Sequence, residues 1–178
     1  MHRHKRILVL TCLVVSGTLA LVLGQQRSTV EPVVVDWNRG EILLDAQGRT
    51  NSINVSPATG SPDLALVTQD MPPGSSIRVH RHDRTEEILF VHRGSGTLIL
   101  GDRRVQVQEG TTIYVPKGTW HGMENPSGNM RIVAVATPPG LDGFFRGMFW
   151  RPGEQPKQLT PEQIQSIELK YDAISRPN

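Results

Sequence analysis

The sequence predicts an all-β fold, an antiparallel double-sheet barrel of the jelly-roll type, followed by a short C-terminal helical extension. Three observations support this prediction. Short segments rich in β-branched and aromatic residues recur at regular intervals between residues 64 and 137. Glycine and proline separate these segments, as is typical of turns. Two of the segments are joined only by Gly101 and Asp102, a spacing that favours a tight β-hairpin.

Changes in composition divide the chain into four predicted parts. Residues 1–24 are a leader, and residues 25–60 contain N-terminal strands and a connection. Residues 61–137 form the barrel, and residues 138–178 form the helical extension. Each boundary coincides with a polar, glycine-rich or proline-rich stretch, which is where connections between elements are expected.

The strands are predicted from runs of residues that favour extended structure. Before the barrel, Val33–Trp37 and Glu41–Leu44 are short candidates, and Asp45–Asp63 is predicted to be a connection because it is rich in Asn, Ser and Gly. The strands predicted in the barrel are Leu64–Asp70, Ser76–His82, Glu87–Arg93, Thr97–Leu100, Arg103–Gln108, Thr111–Val115, His121–Asn125 and Met130–Thr137.

The leader has the composition of an export signal. Residues 2–6 are basic, and residues 7–23 form an uncharged apolar run that ends before a polar stretch. This pattern is typical of a signal peptide, here cleaved after Gly24. We therefore expect an exported protein, periplasmic or extracellular. The alternative is an uncleaved membrane anchor formed by residues 7–23, because this run is close to the lower length limit of a spanning helix.

Charge and cysteine content exclude several classes of protein. The chain has 19 Lys and Arg against 17 Asp and Glu, and three of the basic residues, Arg3, Lys5 and Arg6, lie in the leader. No basic patch remains to indicate a nucleic-acid partner. The single cysteine, Cys12, also lies in the leader, so neither disulfides nor thiol catalysis are expected. The expected partners are a small-molecule substrate and, as a possibility, a second copy of the chain.

A first segment, Gly74–Gly94, contains two histidines and a carboxylate at spacings that suit a metal site. Residues two apart on a β-strand point to the same side, so Arg78, His80 and His82 are expected on one face. After a short polar turn, Glu87 opens the next strand opposite the two histidines. The neighbouring Glu86 is expected to be a solvated carboxylate on the other face.

A second segment, Gly110–Asn125, adds a third histidine. His121 follows the turn residues 116–118 and opens another predicted strand. A lone histidine on a strand is more often structural than a ligand, but here the spacing, the turn glycines and the second segment all agree. Three imidazole nitrogens and one carboxylate oxygen suit a single divalent transition metal: iron, manganese, nickel, copper or zinc.

The spacings G-x5-H-x-H-x4-E-x6-G and G-x5-P-x-G-x2-H-x3-N resemble both signature motifs of the cupin superfamily. The resemblance covers about residues 60–137 closely, and a weaker similarity to quercetinase-like members extends into the tail. It implies a cupin barrel in which His80, His82, Glu87 and His121 hold one metal ion. In quercetinase-like dioxygenases this arrangement leaves one or two positions on the ion open for substrate or dioxygen.

The resemblance therefore implies a metal-binding oxidoreductase, dioxygenase-like, that acts on a small enediol or phenolic substrate. Glu87 would then have a second, catalytic role as a general base, because a carboxylate beside a metal-bound hydroxyl can accept its proton. The fold hosts many activities, so two alternatives stay open. One is an isomerase, decarboxylase or lyase acting on a keto or sugar substrate, and the other is a non-catalytic extracytoplasmic binding protein.

Two further residues are predicted to bind substrate. Arg78 lies one step outward from the histidine pair and could meet a carboxylate or phenolate, although it could also turn to solvent or pair with Glu124. Met123 is expected to line an apolar cavity together with Leu89 and Val91. The histidine face and these apolar side chains would together form the substrate pocket.

The C-terminal extension combines an aromatic cluster with a predicted helix. Residues 140–150 concentrate the aromatic side chains, which could form a lid over the barrel mouth or a dimer contact. A capping box at residues 160–163 predicts a helix over Pro161–Tyr171. Ile164 and Ile167 lie on one stripe of that helix, which is expected to pack against the outside of the barrel.

Overall fold

The computed structural model describes residues 31–177, so the predicted leader lies outside the described residues. Within this range the chain forms eleven β-strands and two α-helices. Their bounds are β1 Glu41–Leu44, β2 Thr50–Val55, β3 Ala65–Met71, β4 Ser76–Arg81, β5 Glu86–Arg93, β6 Ser95–Leu100, β7 Arg103–Gln108, β8 Thr112–Val115, β9 His121–Glu124, β10 Met130–Thr137, α1 Leu141–Met148, α2 Pro161–Tyr171 and β11 Ile174–Ser175.

The strands form two sheets, which confirms the predicted jelly-roll class. The six-stranded sheet has the order β1-β2-β3-β10-β5-β8, and the five-stranded sheet has the order β11-β4-β9-β6-β7. Every strand pair is antiparallel. The hairpin between β6 and β7 closes at the Leu100–Arg103 pair, so Gly101 and Asp102 form its turn as predicted.

The core lies between the inner faces of the two sheets. On β5, Leu89 and Val91 are buried while the alternating Ile88 and Phe90 are exposed. Met123 of β9 reaches the same core from the opposite sheet. This alternation is the one expected for strands with one buried face, and it places the inward side chains of both sheets around a common interior.

The prediction for the N-terminal region is partly wrong. Val33–Trp37 does not form a strand but runs irregularly into a turn. The segment is attached by its backbone and by its aromatic ring: Asn54 Nδ2 donates to the Trp37 carbonyl at 3.2 Å, and Arg131 stacks 3.4 Å from the centre of the Trp37 ring. The Trp37 ring therefore packs on the Arg131 side chain of β10, whereas Val33 and Val34 are exposed.

Strand β2 occupies a stretch that the composition predicted to be a connection, within Asp45–Asp63. It contains several residues that disfavour strands, yet Asn51, Ser52 and Asn54 are all buried. The Gln69 side chain on β3 donates from Nε2 to Asn51 Oδ1 at 2.8 Å. Pairing with neighbouring strands and buried hydrogen bonds thus override weak intrinsic preference, which is common in sheets.

A β-bulge in β4 also departs from the predicted alternation. Ile77 pairs with Met123 and His80 pairs with His121, so three steps on β4 match two steps on β9. Such a bulge adds one residue and turns the side chains that follow it. Ile77 and His80 consequently line the same cavity, whereas strict alternation had placed them on opposite faces.

The helical extension packs differently from the prediction. Helix α2 begins as expected, because Gln163 Oε1 accepts from the Thr160 backbone N–H at 2.9 Å. It packs on α1 and β11 rather than on the outside of the barrel. Glycines on α1 allow this close approach, since a Cβ at Gly147 would lie 2.9 Å from the Ile167 side chain. Neither helix in residues 31–177 has the length and hydropathy of a membrane span.

Candidate metal centre

Three strand segments bring four potential ligands together. His80 lies on β4, His82 directly follows that strand, Glu87 lies on β5 and His121 opens β9. One ligand atom from each residue lies within 4.8 Å of the others. The pairing of His80 with His121 makes two imidazoles direct neighbours, and Glu87 comes from the opposite sheet. The cluster has the size and composition to hold one metal ion.

All three imidazoles are oriented by backbone carbonyls. His80 Nδ1 lies 2.9 Å from the Arg78 carbonyl oxygen, and His121 Nδ1 lies 2.9 Å from that of Thr119. His82 Nδ1 bonds the carbonyl oxygen of Asp172. A carbonyl oxygen can only accept, so each Nδ1 carries the proton that it donates. Each Nε2 is therefore the ring nitrogen directed at the cluster, and this arrangement is typical of metal-binding histidines.

The donor set fits a divalent transition metal. The Nε2 atom of His82 is buried and has no hydrogen-bond partner among residues 31–177. Glu87 Oε2 lies 3.0 Å from His121 Nε2 and 3.8 Å from His82 Nε2. Buried polar atoms normally have partners, and a cation placed among these atoms would satisfy the unpartnered nitrogen and the carboxylate together.

The electrostatic environment keeps His80 and Glu87 in metal-binding form. Burial, together with the neighbouring His121 and His82, lowers the pKa of His80 to about 3, so this imidazole is neutral at physiological pH. Burial alone would raise the pKa of the Glu87 carboxyl. The close contact with His121, together with the nearby His82 and His80, outweighs that effect and holds the Glu87 pKa below its usual range. Neutral imidazoles and an ionised carboxylate are the forms that bind metal.

The C-terminal segment is attached to this cluster through Asp172, the residue that ends α2. Its carboxylate accepts backbone hydrogen bonds from Asp83, Arg84 and Thr85 at 2.9, 2.7 and 2.9 Å. Burial would raise the pKa of Asp172, but the backbone donors of Arg84 and Asp83 hold it below its ordinary value. These three residues form the turn between His82 and Glu87, so Asp172 fixes the turn that carries two of the four ligands.

A cavity of about 210 Å³ lies beside the cluster. His80, Glu87 and His121 line it, whereas His82 lies behind them and does not. Aromatic side chains of the extension, including Phe145, cover the cavity. The aromatic cluster therefore lies over the barrel interior, and a dimer contact of this cluster stays a prediction. One side of the ligand cluster faces a partly open cavity, so a small molecule in the cavity could approach an ion held by the cluster.

The two residues predicted to contact substrate both line this cavity. Met123 is fully buried, and Arg78 is exposed at the margin. Arg78 does not pair with Glu124, because Glu124 forms an ion pair with Arg104. Of the other apolar residues expected in the wall, Leu89 lines the cavity, but Val91 is buried in the core instead.

Sequence reasoning missed several residues at the site. Arg49, Gln69 and Glu168 line the cavity, and Asp172 binds the ligand turn. None of them lies in the two histidine segments. Each is separate from the metal ligands along the chain and reaches the cavity or the ligand turn only in the folded structure. The one available signal was an aspartate directly after a capped helix, which is too common to indicate a role.

The comparisons with known proteins agree with this fold. Residues 67–136 match the family model described as cupin domain. A polyketide cyclase structure, RemF from Streptomyces resistomycificus, has a TM-score of 0.55 and 21% identity, covering 76% of this chain and 92% of that chain. An uncharacterized protein of Streptomyces coelicolor is 30% identical over 76 residues, which are 43% of this chain and 70% of that protein. The chain belongs to the cupin superfamily.

Other relatives are matched over a smaller part of their length. An uncharacterized protein of Methanocaldococcus jannaschii is 37% identical over 77 residues, 42% of this chain and 61% of that protein. Quercetin 2,3-dioxygenase of Bacillus subtilis is 24% identical over 115 residues, 65% of this chain and 34% of the enzyme. The chain thus spans less than two thirds of each of these two relatives, so their likeness supports the domain and not a whole-protein activity.

Proposed function

We propose that this cupin is a metal-dependent oxidoreductase that uses dioxygen to oxidise a small enediol or phenolic substrate. One observation carries the proposal: three of the four ligand side chains, His80, Glu87 and His121, line a partly open cavity. A structural metal site has all its positions filled by protein, whereas a catalytic site keeps a position for substrate. The partial similarity to quercetin 2,3-dioxygenase supports the same class of reaction.

The residues of the chain would bind and orient the ion. His80, His82 and His121 would supply Nε2 atoms held in place by their Nδ1 contacts to carbonyls, and Glu87 would supply a carboxylate oxygen. A divalent transition metal bound there would supply Lewis-acid and redox chemistry. The identity of the ion is set jointly by affinity order and by metal availability.

Glu87 has the properties of a general base toward a substrate hydroxyl. Its carboxylate is buried, lines the cavity and is held in the ionised form by the histidines around it. A hydroxyl bound beside it could transfer its proton to Oε2, because a base must be ionised and within hydrogen-bond reach of the proton it removes. Loss of this proton would make the adjacent carbon of the substrate electron-rich, and that carbon is the atom that would react with dioxygen.

The cavity favours a small substrate. Its volume of about 210 Å³ is below the roughly 300–1,000 Å³ of pockets that hold drug-sized ligands. Leu89, Met123 and Phe145 contribute an apolar wall. An apolar wall with a few polar groups binds a compact ring or short chain and limits access of water to the reacting atoms.

The test is oxygen consumption by protein reconstituted separately with each candidate metal. Catechol and a soluble enediol are the substrates, and the His121→Ala variant is the control. Oxygen uptake that depends on His121 and on a metal supports the proposal. Proton exchange at the substrate without oxygen uptake would indicate an isomerase or lyase instead, and ligand-induced stabilisation without turnover would indicate a binding protein.

We further propose that the protein acts outside the cytoplasm. The basic residues 2–6 and the apolar residues 7–23 support export. N-terminal sequencing of protein from the producing cell tests this, with residue 25 expected as the new first residue. An intact N-terminus in the membrane fraction would instead support an anchor, and an intact N-terminus in the soluble cytoplasmic fraction would contradict export.

A further inference from the structure

The cavity beside the metal centre has a second polar end, formed by Arg49 and Gln69. Both residues line the cavity although they are only 8% and 6% exposed. Neither belongs to the ligand cluster. We propose that this end binds a carboxylate group of the substrate, so that the substrate has a metal-binding head and an acidic tail. The inference deepens the proposed function and rests on it, because the metal centre defines the position of the head.

Arg49 is held in place but keeps free donors. Its Nε donates to Asp45 Oδ2 at 2.5 Å, and its backbone N–H donates to Asp45 Oδ1 at 3.1 Å. The two terminal nitrogens of Arg49 make no hydrogen bond to any residue in 31–177. A guanidinium has five N–H donors, so four remain beyond the one that Asp45 takes. A planar pair of such donors matches the two oxygens of a carboxylate.

Gln69 lies next to Arg49 on the inner face of the sheet. Asn51 pairs with Gln69, and Arg49 lies two residues before Asn51, so all three side chains share this face. Gln69 donates from Nε2 to Asn51 Oδ1 at 2.8 Å, and its Oε1 accepts no hydrogen bond from the described residues. The second polar end thus offers guanidinium donors and one amide acceptor, which suits a carboxylic group carrying a neighbouring hydroxyl.

The two polar ends are separated along the six-stranded sheet. On β10, Ala136 pairs with Glu87 of the metal centre, and Ile132 pairs with Gln69 of the second polar end. These two positions are four residues apart, which corresponds to roughly 13 Å along a strand. Glu87 and Gln69 lie on the strands on either side of β10, so they are also about 10 Å apart across the sheet. Both side chains line the same cavity, so one small molecule that spans it can contact both.

Helix α1 covers the space between the two ends. The helix begins after β10, whose last residues pair with β5 beside Glu87. After the helix ends, Trp150 pairs with Leu44, which lies next to the turn that carries Arg49. The helix has eight residues and is therefore about 12 Å long. Its apolar side chains line the cavity along this length, so the ligand needs an apolar body between its head and its tail.

Other charged groups at the cavity favour the Arg49 end for an anion. Glu168 also lines the cavity, and it binds Ser175, whose strand position pairs with His80 of the metal centre. A substrate carboxylate placed near the metal centre would be repelled by the Glu168 carboxylate. Arg78 is exposed, and it donates to the Arg176 carbonyl at 3.4 Å. The buried guanidinium of Arg49 forms the stronger contact, because hydrogen bonds strengthen where water is excluded.

The test compares two probes that share a catechol head. Dihydrocaffeate carries a propanoate tail, and ethylcatechol carries an ethyl group in its place. Dissociation constants are measured by calorimetry on protein whose zinc content has been verified, since zinc does not support oxidation. We expect wild type to bind dihydrocaffeate about tenfold more tightly than ethylcatechol, and Arg49→Gln to remove this preference.

Arg131→Gln is the matched control, because Arg131 is also buried and paired with an aspartate, Asp70, but does not line the cavity. It is expected to retain the preference. Arg49→Lys is a second variant, which keeps a positive charge beside Asp45. It should retain part of the preference for dihydrocaffeate over ethylcatechol. Equal affinities for the two probes in wild type, or equal effects of the two glutamine variants, overturn the inference.

The experiment separates this inference from the proposed function. Protein that binds no zinc contradicts the metal centre itself. Protein that binds zinc and ethylcatechol but shows no preference for the acid contradicts only the role of Arg49. A preference for the acid in protein that shows no oxygen uptake with any metal supports the acid-binding end and contradicts the oxidation.

Discussion

At the residue scale, the side chains of the candidate metal centre are expected to bind the ion without being needed for folding of the barrel. His80 and His121 contribute ligand atoms to the cluster, but the apolar core is built from other residues. We expect His80→Ala and His121→Ala each to abolish tight metal binding while the barrel stays folded. Elemental mass spectrometry of purified, reloaded protein measures the metal, and circular dichroism measures the fold.

His92→Ala is the control for these two variants, since His92 is exposed at the end of β5 and outside the cluster. It should retain stoichiometric metal. Full occupancy in either ligand variant would show that the assigned ligand set is wrong.

Glu87 is expected to have both a binding and a catalytic role. Glu87→Gln keeps an oxygen that can contact the ion but removes the negative charge and the base. The variant should therefore retain some metal and lose turnover, with a lower kcat at equal metal content. Steady-state oxygen uptake, normalised to bound metal, tests this.

Glu86→Gln is the matched control, because Glu86 is adjacent but partly exposed near Lys117. It is expected to keep the wild-type rate. Undiminished turnover in Glu87→Gln would remove the general-base role and leave Glu87 as a ligand only.

At the scale of elements, the C-terminal extension supports the candidate metal centre through the turn that carries His82 and Glu87. Asp172 ends α2 with a left-handed backbone, at φ 60°, and its carboxylate binds the turn between β4 and β5. Partners that orient metal ligands typically contribute a factor of about 10–100 in metal affinity. We expect Asp172→Asn to weaken zinc binding by about tenfold, because asparagine tolerates the same backbone but replaces one acceptor oxygen by a donor.

A competition titration with a zinc indicator measures this affinity. Asp142→Asn is the matched control: Asp142 is a buried, ion-paired aspartate of α1 that makes no contact with the ligand turn. It should lower stability without changing zinc affinity. The same loss of affinity in both variants would mean that the extension acts through general stability and not through the turn.

At the scale of the whole molecule, metal binding and folding should be coupled. The four ligands come from three strand segments in two sheets, so the site exists only in the folded chain. A metal present at a hundredfold excess over its dissociation constant should raise the free energy of unfolding by about 2.7 kcal/mol. Urea denaturation with and without zinc measures this change, and His121→Ala should show almost none. An equal rise in the variant would indicate zinc binding elsewhere.

Local patterns in the sequence determined most of the barrel. Alternation along β5 and β10, the two-residue turn at Gly101 and the capping box before α2 act between near neighbours, so they are visible without a structure. The four candidate metal ligands were also predicted from the sequence, because their spacings along the chain resemble the two cupin motifs. The turn residues before His121 indicated where the third segment begins.

Only the tertiary structure decided which distant residues complete the site. Strand β2 has a composition that disfavours strands, and it forms because β1 and β3 pair with it and Gln69 bonds Asn51. The bulge in β4, the contact of Asp172 with the ligand turn and the position of Arg49 in the cavity all depend on which segments meet across the fold. Such contacts form between residues far apart in sequence, where spacing along the chain carries no information about proximity.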